Sequence, residues 1–238
     1  MYRWDVLAAS RFEWWVERFR AAFQDFDILR IDHFRGFESY WEIPAGAENA
    51  IGGQWKPGPG APLFDAVRTA LGDPAIVAED LGLITDAVHA LREHLGFPGM
   101  RVLQFGCDSD EDPFHRPDQY PENSVVYTGT HDNDTVIGWY EQRRRSGANM
   151  DIVQRFLSGN PDTVHLDLIS AVLNSRAHTA VIPLQDLLGL GSDSRNNTPG
   201  LAAGNWQWRC SGAADFEKLA SMMRTMTEST QRLPAAAA

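Results

Sequence analysis

The sequence predicts an α/β fold built from parallel strands, and three observations carry that prediction. Short apolar runs alternate with amphipathic helical segments along the 238 residues. The apolar runs lack polar alternation, which is typical of strands buried on both faces. In this interpretation no two strands follow each other directly, which is the pattern of repeated βα units.

Five strands and six main helices are predicted in chain order. The strands cover about 26–32, 75–78, 100–105, 124–128 and 180–184. The helices cover about 11–24, 62–71, 85–95, 134–146, 162–176 and 213–229. The Gly/Pro-rich stretch 36–62 and the acidic stretch 106–122 are predicted to be loops. Pro183 disfavours a central position for the fifth strand, because proline cannot donate a ladder hydrogen bond.

Composition limits the class of protein and of ligand. The net charge of −11 argues against nucleic acid and anionic lipid as partners. No apolar run approaches the ~20 residues of a membrane helix, and no secretory signal is recognisable. Cys107 and Cys210 lack the spacing of a zinc site and fit a reducing cytoplasm, although a single disulfide remains an alternative.

Three carboxylates each follow a predicted strand, and they are the strongest indication of function. They are Asp32, Glu79 and Asp132. A barrel that collects strand ends at one face would bring them together. Because three acids in one pocket repel one another, the pattern indicates chemistry that needs carboxylates.

Retaining cleavage of a glycosidic bond is one such chemistry, since it uses two carboxyl groups about 5–5.5 Å apart. Arg30 lies two residues before Asp32, so both side chains leave the same face of a strand and the guanidinium favours an ionised nucleophile. Repulsion from Asp32 and Asp132 favours a protonated Glu79, as an acid/base requires. A third carboxylate can accept hydrogen bonds from sugar hydroxyls.

Each residue also has a simpler interpretation. Any one of the three acids could be a helix cap or an ion-pair partner. Asp134 is predicted to be the N-cap of the following helix. His33 and His131 could ligate a metal ion, but no metal site and no cofactor are predicted.

Longer motifs around these residues resemble a known family. The stretches are 30–37 (RIDHFRGF), 78–85 (AEDLGLIT) and 129–135 (GTHDNDT), with further agreement at 40–44, 53–64, 197–200 and 205–209. They are similar to the signature stretches of the 4-alpha-glucanotransferases, or amylomaltases, of the alpha-amylase clan. The resemblance covers nearly the whole chain.

The resemblance implies a role for each site residue. Asp32 matches the nucleophile, Glu79 the general acid/base and Asp132 the transition-state stabiliser. The substrate-binding residues that we expect are Arg30, His131, Phe105, Trp55 and Asn133. Phe105 would pack against the acceptor sugar; its alternative is a core phenylalanine at a strand end. Maltooligosaccharides are the expected partners, with no nucleic acid and no membrane, and the oligomeric state is unknown.

The resemblance also implies a partial TIM (β/α)8 barrel, with about five βα units that correspond to strands 4 to 8. We therefore expect residues 1–238 to form a single incomplete catalytic domain that lacks strands 1 to 3, with a disordered tail at 233–238. Because strands are missing, two alternatives stay open. The chain could be an inactive glucan-binding remnant, or the protein could be an alpha-glucan hydrolase of the same clan.

Overall fold

The computed structural model describes residues 1–107, 113–212 and 214–232. Part of the predicted acidic loop and the tail at 233–238 lie outside the described residues. The strands within these ranges are β1 (Leu29–Ile31), β2 (Ser39–Glu42), β3 (Gln54–Pro57), β4 (Ile76–Ala78), β5 (Gly99–Val102), β6 (Ser124–Tyr127) and β7 (Thr179–Val181). The α-helices there are α1 (Trp4–Ala9), α2 (Glu13–Asp25), α3 (Arg35–Glu38), α4 (Ala61–Leu71), α5 (Asp86–His94), α6 (Val136–Ser146), α7 (Asp151–Gln154), α8 (Val164–Leu173), α9 (Leu184–Leu187) and α10 (Phe216–Ser229).

Five of the strands form one sheet in the order β1-β4-β5-β6-β7. The pairs β1·β4, β4·β5 and β6·β7 run parallel. The predicted α/β class with five parallel strands is therefore confirmed. The last strand ends at Val181, before Pro183, and lies at an edge of the sheet, where a following proline disturbs no ladder.

The prediction that no two strands are consecutive is wrong. Strands β2 and β3 pair antiparallel as a separate hairpin inside the stretch expected to be a loop. The alternation of apolar and polar residues in these two strands is short, and the glycines and prolines around it are typical of a loop. Gly53 is needed at the base of this hairpin, because a Cβ atom there would overlap the indole of Trp41. The Trp41 Nε1–H in turn donates to the Ala50 carbonyl oxygen at 2.8 Å.

The chain divides into two compact units, Met1–Met100 and Arg101–Ala238. In the first unit, the predicted helix at 11–24 is confirmed as α2, which packs on α4. The aromatic spacing buries Trp15 and Phe19 against Phe64 of α4. Helix α2 starts only at Glu13, because the preceding Phe12 has a left-handed backbone (φ 56°).

In the second unit, the core forms between β6 and α8. Val126 of β6 and Leu168 of α8 are fully buried in one apolar cluster. Helix α10 begins three residues later than predicted, because Asp215 caps it by accepting the Lys218 N–H at 3.0 Å. Neither Cys107 nor Cys210 forms a disulfide in the described residues, so the alternative of a disulfide is wrong. Among the described residues, no helix has the length and apolar character needed to cross a membrane.

A buried ion pair fixes the end of β4 in the first unit. Asp80 has no exposed surface and pairs with the buried Arg92, with 3.1 Å between Oδ2 and Nε. Its Oδ1 also accepts the Met100 N–H at 2.7 Å. Both contacts hold the residue directly after Glu79, so the carboxyl end of β4 is anchored to α5 and to β5.

Gly99→Ala is expected to destabilise the first unit by about 2–4 kcal/mol. A Cβ atom at Gly99 would overlap both carboxylate oxygens of Asp80 and displace them from Arg92. Urea unfolding measures the loss. Gly52→Ala is the matched control, because a Cβ atom there meets nothing within 4 Å. Equal stability of the two variants would contradict the anchoring role of Asp80.

Candidate active site

Asp32 and Glu79 directly follow two neighbouring parallel strands of the first unit. The register pairs Ile31 of β1 with Ala78 of β4, so the two acids are the next residues in register. The pairing continues there, because the Glu79 N–H donates to the Ile31 carbonyl oxygen at 2.9 Å. Neighbouring strands lie about 4.8 Å apart. The sheet thus brings these two sequence-predicted acids side by side at its carboxyl edge.

The Asp32 carboxylate is open to solvent and held by one cation. Its Oδ1 accepts a hydrogen bond from Arg30 Nη2 at 2.7 Å. The expectation that Arg30 and Asp32 share a face of the strand is therefore confirmed. The Asp32 side chain is 83% exposed, so this contact leaves room for a ligand to approach.

The Glu79 carboxylate is half-buried and is fixed by two backbone donors. Oε2 accepts the His33 N–H at 2.6 Å, and Oε1 accepts the Leu81 N–H at 2.8 Å. His33 adopts a left-handed backbone (φ 51°), which is uncommon for a residue with a Cβ atom. The Phe34 N–H donates to the Glu79 carbonyl oxygen at 3.0 Å. The turn after Asp32 is thus tied directly to Glu79.

Trp55 lies on the hairpin of the first unit and is 53% exposed. The Arg35 guanidinium lies over its ring at 4.3 Å from the centroid. Trp41 meets the same ring edge-on at 5.3 Å. An exposed indole with fixed orientation is suited to stack on a sugar ring, and the predicted binding role of Trp55 stays a prediction.

Asp132 lies in the second unit, in the loop between β6 and α6. Its Oδ1 accepts from Asn197 Nδ2, and its Oδ2 lies 3.4 Å from His131 Nε2. Its carbonyl oxygen accepts from Arg195 Nη2 at 2.5 Å. The His131 ring packs on Trp206 with 5.3 Å between centroids. The predicted neighbours His131 and Asp132 are therefore in contact, and the segment around Arg195 and Asn197 supports them.

Asn133 and Asp134 shape this loop. Asn133 Oδ1 accepts from both the backbone N–H (2.9 Å) and the hydroxyl (2.8 Å) of Thr130. The amide oxygen of this predicted substrate-binding residue therefore closes a turn of the loop. The prediction that Asp134 is the N-cap of the next helix is wrong. Thr135 is the N-cap, since its hydroxyl accepts the Gly138 N–H at 3.1 Å. Asp134 instead accepts from Ser192 Oγ at 2.6 Å.

Phe105 follows β5 and starts a short 3-10 turn, Phe105–Cys107. It is 42% exposed, so its alternative as a core phenylalanine is wrong. The His115 ring meets it edge-on at 5.4 Å between centroids. An exposed aromatic ring held on one side is compatible with packing against a sugar.

The predicted site residues did not include Arg195, Asn197 or Asp186. The first two lie in a loop rich in Gly, Ser and Asn, where no periodicity distinguishes one polar residue from another. Asp186 had a recognisable signal, because it interrupts the apolar run from Val181 to Leu190. It is 1% exposed, and burial raises its pKa to about 6. Hydrogen bonds from Thr128 and Val136 oppose that rise, while the nearby Asp134 adds to it.

The pKa of Asp186 predicts a pH dependence of stability. Because the folded-state pKa lies above the ordinary value of 3.8, its contribution is fully present below about pH 4 and is lost as the pH rises through about 6. Relative to Asp186→Asn, the unmodified protein should lose about 2 kcal/mol of unfolding free energy between pH 4 and pH 7. Urea unfolding of both proteins at the two pH values measures this difference. A difference that is independent of pH would contradict the buried, titrating carboxyl group.

Among the described residues, no group of three or more His, Cys, Asp or Glu side chains is arranged to hold a metal ion. The parallel sheet and the adjacent Asp32 and Glu79 define an α/β protein with a paired-carboxylate site. Such a pair is what enzymes that cleave glycosidic bonds with retention use.

The comparisons with known proteins identify the family. A family model described as 4-alpha-glucanotransferase matches residues 1–215. The chain belongs to the 4-alpha-glucanotransferase family. This confirms the family inferred from the motifs.

Individual relatives agree with this assignment. The 4-alpha-glucanotransferase of Synechocystis sp. is 51% identical over 88% of this chain and 42% of that protein. The enzyme of the same name from Thermus thermophilus is 43% identical over 98% of this chain and 48% of that protein. A chloroplastic/amyloplastic 4-alpha-glucanotransferase of Solanum tuberosum is 46% identical over 92% of this chain and 38% of that protein. This chain therefore spans less than half the length of these relatives.

A solved structure agrees as well. Amylomaltase from Streptococcus agalactiae in complex with acarbose matches with a TM-score of 0.89 and 34% identity. The match covers 98% of this chain and 47% of that chain.

Proposed function

We propose that this chain carries the catalytic carboxylates of a retaining 4-alpha-glucanotransferase that transfers alpha-1,4-glucan segments between maltooligosaccharides. The observation that carries the proposal is the register of β1 and β4, which sets Asp32 and Glu79 one strand spacing apart. That spacing, about 4.8 Å between the two backbones, puts both acids within side-chain reach of one sugar ring, as the carboxyl pair of a retaining enzyme requires.

In the first step, Asp32 attacks the anomeric carbon of the donor while protonated Glu79 gives its proton to the glycosidic oxygen. The C1–O bond breaks, the shortened glucan leaves with a free hydroxyl group, and a covalent glycosyl ester forms on Asp32. In the second step, a hydroxyl group of the acceptor attacks C1, and Glu79 takes its proton. The ester bond then breaks and the Asp32 carboxylate is restored.

The remaining predicted site residues assist these steps. Arg30 holds the Asp32 carboxylate in the direction of attack, through the 2.7 Å contact. Asp132 and His131 bind hydroxyl groups of the donor sugar and strengthen those hydrogen bonds in the transition state. Asn133 contributes its amide nitrogen to the same sugar.

Transfer requires that a sugar rather than water attacks the intermediate. Phe105 and Trp55 are exposed aromatic rings, each held by a neighbouring side chain. Such rings bind the apolar face of an acceptor sugar and exclude water from the ester. We therefore favour transfer over hydrolysis for this site.

We also infer the architecture and the location of the protein. The five parallel strands are strands 4 to 8 of a (β/α)8 barrel, and the chain is a single incomplete catalytic domain. The protein acts in the cytoplasm in the metabolism of glycogen or starch. Because the chain spans 42% of its Synechocystis relative, a glucan-binding form without turnover is the second candidate.

Maltotriose separates these candidates. A transferase incubated with maltotriose produces glucose together with maltopentaose and longer oligomers. Glucose and maltose without chain lengthening would indicate a hydrolase. Calorimetric binding of maltotriose without any product would indicate the binding form. The assay is run on this chain and on the complete gene product.

A further inference from the structure

A buried carboxylate of the second unit bridges the two ends of the loop that carries Asp132. Asp186 of α9 accepts the hydroxyl of Thr128, which directly follows β6, through Oδ2. Its Oδ1 accepts the N–H of Val136, the first residue of α6, at 2.8 Å. One side chain thus fixes the entry and the exit of residues 129–135.

The segment that follows α9 also holds the middle of this loop. Ser192 Oγ donates to Asp134, Arg195 donates to the carbonyl oxygen of Asp132, and Asn197 donates to its carboxylate. A loop that is bound at both ends and at its centre by one segment has little freedom to shift. The position of Asp132 therefore depends on how α9 is seated against β6 and α6.

We propose that Asp186 is a positioning residue, which sets the separation of Thr128 and Val136 and thereby places the Asp132 carboxylate. This inference rests on the proposed function for its effect on turnover, but its effect on the loop stands independently. Asp186 is 1% exposed. It acts on substrate only through the loop.

Two substitutions of Asp186 distinguish the effect of losing its two hydrogen bonds from the effect of losing its negative charge. Asp186→Ala removes both hydrogen bonds. Asp186→Asn keeps an oxygen for the Val136 N–H and offers an amide to Thr128, whose hydroxyl can turn to accept. Asp193→Ala is the matched control, since Asp193 is an exposed acid in the same segment.

Turnover of maltotriose by the protein as its gene encodes it is the kinetic readout. Asp186→Ala should lower kcat by about 10- to 100-fold, because a displacement of about 1 Å is enough for such a loss. KM should change by less than about 3-fold, and Asp186→Asn should restore kcat to within about 3-fold. Asp193→Ala should leave both constants unchanged.

A double-mutant cycle distinguishes positioning from a general structural effect. In an Asp132→Asn background, assayed with α-maltosyl fluoride as an activated donor, Asp186→Ala should change the rate by less than about 2-fold. An equal loss in both backgrounds, or no loss in the unmodified background, would overturn the proposal. If Asp186→Ala does not fold, Thr128→Val removes one of the two bonds and takes its place in the cycle.

Crystal structures of the variants give a readout that needs no activity. Asp186→Ala should break the contact between Asp132 Oδ1 and Asn197 Nδ2, while Asp193→Ala should keep it. An unchanged loop in Asp186→Ala would overturn the positioning role even if turnover falls. If the unmodified protein turns over no glucan, the proposed function fails, and the loop geometry alone then decides this inference.

Discussion

Asp32→Asn is expected to lower kcat for maltotriose disproportionation by at least about 10³-fold while leaving the fold intact. An amide oxygen is a poor nucleophile, so no glycosyl ester can form. The amide can still accept the Arg30 hydrogen bond seen at 2.7 Å, and the side chain is exposed, so stability should change little. Glucose release measures kcat, and thermal unfolding followed by circular dichroism checks the fold.

Asp27→Asn is the matched control for this substitution. Asp27 is an exposed acid shortly before β1, and its loss should leave kcat unchanged. The mass of the Asp32→Asn protein must be verified, because deamidation would regenerate the aspartate. Turnover within about tenfold of the unmodified protein, with the amide intact, would refute Asp32 as the nucleophile.

Glu79→Gln is expected to lower maltotriose turnover by about 10²- to 10⁴-fold, because glutamine cannot protonate the leaving glucan. The first step with α-maltosyl fluoride should fall by less than about tenfold, since fluoride leaves without a proton. Stopped-flow detection of released fluoride measures that step. Glu48→Gln, at an exposed acid of the first unit, is the control and should affect neither donor.

The structure adds a second consequence for Glu79→Gln. Both carboxylate oxygens accept backbone N–H groups, from His33 and from Leu81. A glutamine must turn its NH2 toward one of these donors, which should cost about 1–2 kcal/mol of stability. Equal losses of rate with both donors would indicate a distorted site and would contradict the acid/base assignment.

Local patterns were sufficient to predict the strands of the main sheet and the acids that follow them. Arg30 and Asp32 are two residues apart on a strand, so their contact follows from the strand period alone. The hairpin of β2 and β3 was not predictable in the same way. It depends on Trp41 packing over Gly53, and the glycines that permit this packing are themselves the usual signal of a loop.

The supports of the candidate site were harder to predict, because they join residues that are distant in sequence. Asp186 contacts Thr128 across 58 positions, and Asn197 contacts Asp132 across 65. Neither spacing has a period that a sequence pattern would reveal. Aspartate is a residue type that favours helix N-caps, yet the N-cap of α6 is Thr135. Asp134 instead accepts a hydrogen bond from Ser192.

Covalent trapping is the sharpest test of Asp32 as the nucleophile. The Glu79→Gln protein, incubated with α-maltosyl fluoride and then digested, should yield a peptide that contains Asp32 and carries one additional maltosyl unit. The ester accumulates because its second step lacks a base. Attachment of the sugar to a different carboxylate, or consumption of the fluoride with no labelled peptide, would exclude Asp32 as the nucleophile.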